Sequence, residues 1–169
     1  MKKLLFLTPL ALTAMAEPSQ RQPGMWETTS RITRLELIGA APDMQARANA
    51  QAGQAQTASE CLTPAQARDP TTEMHRLMAE RASTTSCTFS EAQFSDGVIR
   101  IRAHCPVAAG GAAEMAIDGS FTETTIQATL SVTALGPTVP ETGVTGVRIS
   151  AEMTGRRTGA CPAAAQPAS

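Results

Sequence analysis

The side chains able to carry chemistry in this chain are few and widely spaced. Cysteines stand at Cys61, Cys87, Cys105 and Cys161, the histidines are His75 and His104, and an arginine pair, Arg156-Arg157, lies just before the last cysteine. A zinc site or a dithiol redox motif needs ligands two to four residues apart, and no C-x-x-C or Cys/His cluster occurs. Nucleophilic catalysis needs a Ser, Thr or Cys beside a base, and no G-x-S-x-G turn is present to expose one. His75 falls in a methionine-rich segment and His104 on a strand position facing away from Cys105, so both read as surface side chains. The carboxylates are scattered, with no pair at a spacing that marks an acid/base couple. Met74 and Met78 lie one helical turn apart beside His75 and could offer thioether sulfurs to copper, but methionines at that spacing read first as packing side chains. These observations predict no enzyme, no cofactor and no bound metal.

Arg156 and Arg157 are weak anion-binding candidates, since a guanidinium fork matches carboxylate or phosphate. The competing reading is that strand alternation sends one arginine to solvent and the other to a structural ion pair near Cys161. Trp26, the sole tryptophan, reads as a core anchor rather than a ligand-stacking platform.

These groups are carried by an exported chain on the evidence of its first residues. Met1-Lys2-Lys3 is a positive start, Leu4 to Thr13 an apolar stretch too short to span a bilayer, and Ala14-Met15-Ala16 a small-x-small end. The pattern predicts a signal peptide over residues 1–16 with processing before Glu17; an N-terminal core helix is the competing reading. No cysteine follows closely enough for a lipid anchor, so the product is expected to be soluble, periplasmic or secreted, with no membrane insertion after processing. Both lysines lie in that leader, so its loss takes the formal charge from −1 to about −3. A near-neutral balance gives no electrostatic footprint for nucleic acid.

Residues 17–161 have the size of one domain, with 162–169 a tail that has nothing to bury. The apolar content of 42% is inflated by alanine; Leu, Ile, Val and Phe together make up roughly a seventh of the chain after the leader, which suggests a thin core. An exported domain of that kind uses disulfides, and four cysteines predict two of them, one bridge and two free thiols being the alternative.

Hydrophobic patterning supplies the elements. Gly24 to Ile38 reads as the first strand, and residues 39–60 as an Ala/Gln-rich low-complexity insertion, exposed and mobile, with at most a weak helix. Thr63-Pro64 and Asp69-Pro70 each place a capping side chain before a proline, the start of two short helices; Met74, Leu77, Met78 and Arg81 share one face of the second. Ser86 to Phe94 and Val98 to Cys105 form a hairpin around Ser95-Asp96-Gly97, and Glu114 to Phe121 with Thr124 to Ala134 a second, linked by Pro106 to Ala113. After a Gly/Pro-rich loop from Gly136 to Gly143, Val147 to Thr154 alternate as the last strand. The predicted fold is mainly β, an antiparallel curved sheet or incomplete barrel with one or two short helices and two disulfides.

A three-residue hairpin loop, with Phe94 opposite Val98, sets Cys87 opposite Cys105 on the face of Phe89, Ile99 and Ile101, within disulfide range. By elimination Cys61 joins Cys161. A two-residue loop would shift that register.

The ordered set Pro23-Gly24-Met25-Trp26-Glu27, Cys61-Leu62-Thr63-Pro64, two middle cysteines and Gly155-Arg156-Arg157-Thr158-Gly159-Ala160-Cys161 resembles the domain-of-unknown-function family thirty-six seventeen of small exported bacterial proteins. The resemblance implies compartment and architecture and carries over no catalytic residue; the stretch from Gly39 to Glu60 departs from it. The functional expectation is a non-catalytic envelope binding or interaction module, its partner another envelope protein. The alternatives are a carrier of a small apolar ligand in the concave sheet face and an enzyme whose site is not legible.

Overall fold

The structure, a computed structural model, describes residues 20–72, 87–107 and 110–162. The leader, the second helix beyond Thr72 with Met74, His75, Leu77, Met78 and Arg81, and the tail from residue 163 lie outside the described residues. Seven strands, β1 Gly24–Ile38, β2 Ala55–Leu62, β3 Thr88–Ser95, β4 Val98–Val107, β5 Gly111–Phe121, β6 Thr125–Leu135 and β7 Gly146–Gly159, are joined by helices α1 Pro42–Gln51 and α2 Pro64–Arg68. They form one antiparallel sheet in the order β2-β1-β7-β6-β5-β4-β3. The sheet does not close, so β2 and β3 are its edges, and the barrel alternative resolves to an open sheet.

Register sorts the two faces. One row runs from Phe94 through Ile99, Gly119, Ala128 and Met153 to Ser30, and its neighbours Trp26, Ile101, Phe121 and Ile126 point the same way into the core. The opposite face is polar and carries cross-strand ion pairs, among them Arg31–Glu152 at 3.4 Å, Arg148–Glu36 at 3.0 Å and Arg102–Asp118 at 2.8 Å. These pairs are exposed and add little to stability. Curvature wraps the apolar face around a small core: the Arg21 Cζ lies 5.5 Å from the Trp26 ring of β1 and 5.0 Å from the Phe94 ring of β3. Five strand spacings separate β1 from β3, which in a flat sheet is roughly 24 Å. Only a strongly curled sheet lets one guanidinium cover both rings.

Both disulfides are present as the cysteine count and topology predict, Cys61–Cys161 and Cys87–Cys105. The hairpin reaches its pairing by a different path, however. The loop has two residues, not three, with Ser95 opposite Val98. Asp96 and Gly97 both take positive φ, 55° and 75°, as the Asp-Gly two-residue turn requires. That slip of one is cancelled by a bulge at Ser90, between the pairs Phe89–Ala103 and Glu91–Arg102, which restores Cys87 to Cys105 at a Cα separation of 4.1 Å. Two-against-one pairing at a bulge makes the extra residue dispensable to register. Deleting Ser90 is therefore expected to preserve the Cys87–Cys105 bridge and cost under about 1 kcal/mol. Non-reduced peptide mapping checks it, and loss of that link in the deletion would show the bulge to be misplaced.

Two further expectations need correction. Residues 39–60 are not an insertion outside the sheet: they contain α1 and the edge strand β2, which pairs with β1 from Gly24–Leu62 to Arg31–Ala55. Pattern could not reveal β2, because its first six residues are all exposed. Backbone ladder bonds hold it rather than an apolar face. Where β2 ends, α1 takes over its role: the Gln45 carbonyl oxygen accepts from the Leu37 N–H at 2.7 Å and its amide donates to the Leu35 carbonyl at 2.7 Å. One side chain thus imitates a neighbouring strand and blunts the edge. The link between hairpins is also shorter than Pro106 to Ala113, since β4 runs to Val107 and β5 starts at Gly111.

The two capping prolines behave as expected. Thr63 and Gln66 form a reciprocal capping box at the start of α2, and the Asp69 carboxylate accepts from the Thr72 N–H at 3.0 Å, where residues 70–72 are helical. Gly24 answers a local demand, with φ +142° and a backbone so close to β7 that a β-carbon would strike the Gly159 carbonyl.

Candidate functional site

The residues singled out for chemistry do not meet at one place. All four cysteines are in disulfides. Arg156 and Arg157 lie on opposite faces of β7, as alternation demands. The Arg156 guanidinium donates to the Glu27 carboxylate through Nε at 3.2 Å and Nη2 at 2.9 Å, whereas Arg157 Nε donates to the Pro23 carbonyl at 2.9 Å. Each is engaged by its own neighbour, so the two do not present a shared fork. His104 faces the polar side, its Nδ1 2.6 Å from Glu114 Oε1, both side chains exposed. Among the described residues, no three His, Cys, Asp or Glu side chains gather as a metal site.

The structure instead singles out Arg21, which the pattern of the sequence gave no reason to choose. The segment before β1 is fastened at three points. The Gln22 N–H donates to the Glu123 carbonyl at 2.8 Å and its side-chain amide to the Glu123 carboxylate at 2.7 Å, while the Trp26 indole N–H donates back to the Gln22 carbonyl at 3.0 Å. So anchored to the β5–β6 turn and to the central ring of the core, the chain lays Arg21 across Trp26 and Phe94. Such a cation over desolvated rings is favourable by roughly 0.5 to 2 kcal/mol.

That placement has a cost. Burial pushes the Arg21 guanidinium below its usual pKa, the charge of Glu60 opposing part of the effect. Its Nε is buried with no hydrogen-bond acceptor among the described residues. An unpaired buried donor costs about 1 to 3 kcal/mol, which offsets much of the attraction between the guanidinium and the rings.

Beside Arg21 opens a cleft of about 170 Å³. Phe94 and Phe121, stacked with centroids 4.7 Å apart, and the buried Ala67 of α2 give it an apolar floor; Pro70 forms a wall, and Gln20, Arg68, Ser95 and Asp96 its polar rim. Two larger depressions are open surface grooves: one of about 430 Å³ between β1 and α1, one of about 510 Å³ across β5, β6 and β7 on the polar face. In both, the charged residues already pair with neighbours: Arg34 and Glu36 in the first, Asp118 and Glu152 in the second. The Arg21 cleft alone among the three combines an apolar floor with a cation whose donor lacks a partner.

The family model described as "Protein of unknown function (DUF3617)" matches residues 21–161, a span that begins at Arg21 and ends at Cys161. Neither a curated protein nor a solved structure matches the chain.

Proposed function

The chain belongs to the DUF3617 family, and from its cleft we propose that it is an exported, non-catalytic binding module of the cell envelope with Arg21 at its binding site. One observation carries the reading: a guanidinium held over two aromatic rings beside a cleft floored by the stacked Phe94 and Phe121. Export is supported by the leader-like start and by two disulfides, which persist in oxidising compartments. The same bridges give the site a rigid frame, as a preorganised binding cleft requires.

A second reading, a carrier of a larger apolar ligand on the concave face, draws on the inner side chains away from Arg21. Ile32, Leu35, Leu130, Val132 and Ile149 are only half-buried there. Native mass spectrometry of protein recovered from a periplasmic extract tests both. The expected species starts at Glu17, has all four cysteines oxidised and carries a non-covalent adduct of low mass that is lost on denaturation. A lipid-sized adduct would favour the carrier. Protein that retains residues 1–16 and free thiols would overturn the export reading.

A further inference from the structure

Away from the Arg21 cleft the sheet leaves one edge open, and we propose that strand β2 is a dimerisation surface: a second copy of this chain adds its own β2, antiparallel, across a two-fold axis through Ala58. The edges of the sheet are treated unequally. On β3 the ladder is broken by the bulge at Ser90, and the strand is tied to β4 by Cys87–Cys105. On β1 beyond Arg31, where β2 ends, Gln45 fills the place of a strand. Bulging an edge and covering it both deny it to another chain. Strand β2 has neither device. Its eight residues pair with β1 without a register shift, its first six are exposed, and Ala-Gln-Thr-Ala-Ser-Glu-Cys-Leu holds no proline, lysine or arginine. Its one charge, Glu60, lies within electrostatic reach of Arg21 of its own chain. The outer row of N–H and C=O groups on β2 therefore has no ladder partner among the described residues, the state that templates strand addition.

The order of residues along the strand selects a second copy as the occupant. Directly opposed residues of an antiparallel pair share a face. An axis through Ala58 sets Gln56 of each copy opposite Glu60 of the other and Thr57 opposite Ser59, with Ala58 opposite itself. Each carboxylate then meets an amide donor and each threonine a serine hydroxyl, while the residue that meets its own kind is small. The two Glu60 side chains stand about 14 Å apart along the strands, beyond a Debye length at physiological salt. Such a contact is isologous and closes on itself, so it gives a dimer and not a fibre. The two seven-stranded sheets become one, with both concave faces on the same side. A single strand pair buries less than the roughly 1,200 Å² of a stable interface, which sets the dimer among transient ones with a Kd of about 100 μM.

Sedimentation velocity of residues 17–169 with both disulfides formed, from about 10 μM to about 1 mM, tests the proposal. A monomer–dimer equilibrium is expected. Thr57→Lys combined with Ser59→Glu puts two opposite-charge pairs across the axis and should tighten the dimer about fivefold. Thr57→Lys combined with Ser59→Lys puts like charges there and should weaken it about fivefold or more. Thr88→Lys, on the β3 edge, should change nothing, and far-ultraviolet circular dichroism verifies that each variant is folded. A chain ending at Pro162 is run alongside, because Cys161 is bonded to Cys61 and the tail therefore starts beside β2. Wild-type protein that stays monomeric throughout would overturn the proposal. Dimers that form only in the shortened chain would overturn it too, by making the tail the occupant of the edge. Weakening by Thr57→Lys/Ser59→Glu, the result if Ser59 faced its own copy, would refute the axis through Ala58. Loss of the dimer in Thr88→Lys, with both β2 variants unchanged, would move the interface to β3. None of these outcomes bears on the Arg21 cleft, which the ligand-adduct measurement tests separately.

Discussion

Replacing Cys61 and Cys161 together by serine is expected to remove about 4 to 5 kcal/mol of unfolding free energy, more than any single bond in the sheet contributes. The bridge joins residues 100 apart in sequence. Cross-linking a loop of that length withholds from the unfolded chain an entropy equivalent to about 4.7 kcal/mol at 25 °C. The Cys87–Cys105 bridge spans 18 residues, for which the same relation gives about 3 kcal/mol. Placement adds to the difference. Met25 of β1 lies opposite Cys61 of β2 on one side and Gly159 of β7 on the other, so Cys161, two residues beyond, closes over the end of β1 onto β2. It is the covalent tie of an edge strand whose side chains bury almost nothing until Leu62. Small domains have total stabilities of about 5 to 15 kcal/mol, so the Cys61/Cys161 variant should lose about a quarter or more of that. Urea unfolding of both double-serine variants measures the two costs side by side. A larger loss from the Cys87/Cys105 variant would contradict both the entropy argument and the role assigned to the tie.

How much of this could be read from residues alone follows from what each feature depends on. The bounds of β1 were legible because Thr, Ile and Leu are interleaved with polar residues between Gly24 and Ile38, and the existence of β7 because Val147, Ile149, Ala151 and Met153 alternate with polar residues, although the strand runs on from Thr154 to Gly159, where Gly-Arg-Arg-Thr-Gly carries no apolar alternation. Both are central strands with one buried face, the case in which a period of two is enforced. Strand β2 was not legible: at the sheet edge its side chains meet solvent, and Ala-Gln-Thr-Ala-Ser-Glu carries no period to detect. The disulfide pairing was correct although the loop length behind it was not, since Ser90 compensates for the shorter turn and nothing in Thr-Phe-Ser-Glu marks a bulge. Arg21 was not legible for a different reason. Its environment is assembled from Trp26 on β1, Phe94 on β3 and Phe121 on β5, and only the curvature of the sheet brings these together. The two arginines that pattern did single out, Arg156 and Arg157, lie where alternation predicts and are occupied by Glu27 and the Pro23 carbonyl.

Truncating the ring at the centre of that assembly gives the other large effect. Trp26→Ala is expected to cost about 4 kcal/mol, within the 3 to 5 kcal/mol typical of a buried aromatic replaced by alanine. Trp26 is 1% exposed, the most completely buried large side chain of the core, and the rest of that core is thin: Leu62, Ile99, Ile101, Phe121 and Ile126 with a few alanines. So few large side chains cannot repack around a void of indole size, and the cavity remains as cost. The truncation also removes the N–H that holds the Gln22 carbonyl at 3.0 Å and one of the two rings beneath Arg21, so the segment before β1 loosens. Trp26→Phe separates the contributions, keeping most of the apolar body and losing the hydrogen bond, for about 1 kcal/mol. Since Trp26 lies opposite Glu60, next to Cys61 on β2, and shares its cluster with Leu62, the Trp26→Ala and Cys61/Cys161 variants touch one unit. Their costs should combine to less than their sum, by at least about 0.5 kcal/mol, as expected for neighbouring sites. Unfolding followed by far-ultraviolet circular dichroism, which does not need the tryptophan, measures all three. A Trp26→Ala cost under about 1.5 kcal/mol would mean that the indole packs against far less than the structure shows, and strict additivity would mean that the edge tie and the core anchor stabilise the sheet independently.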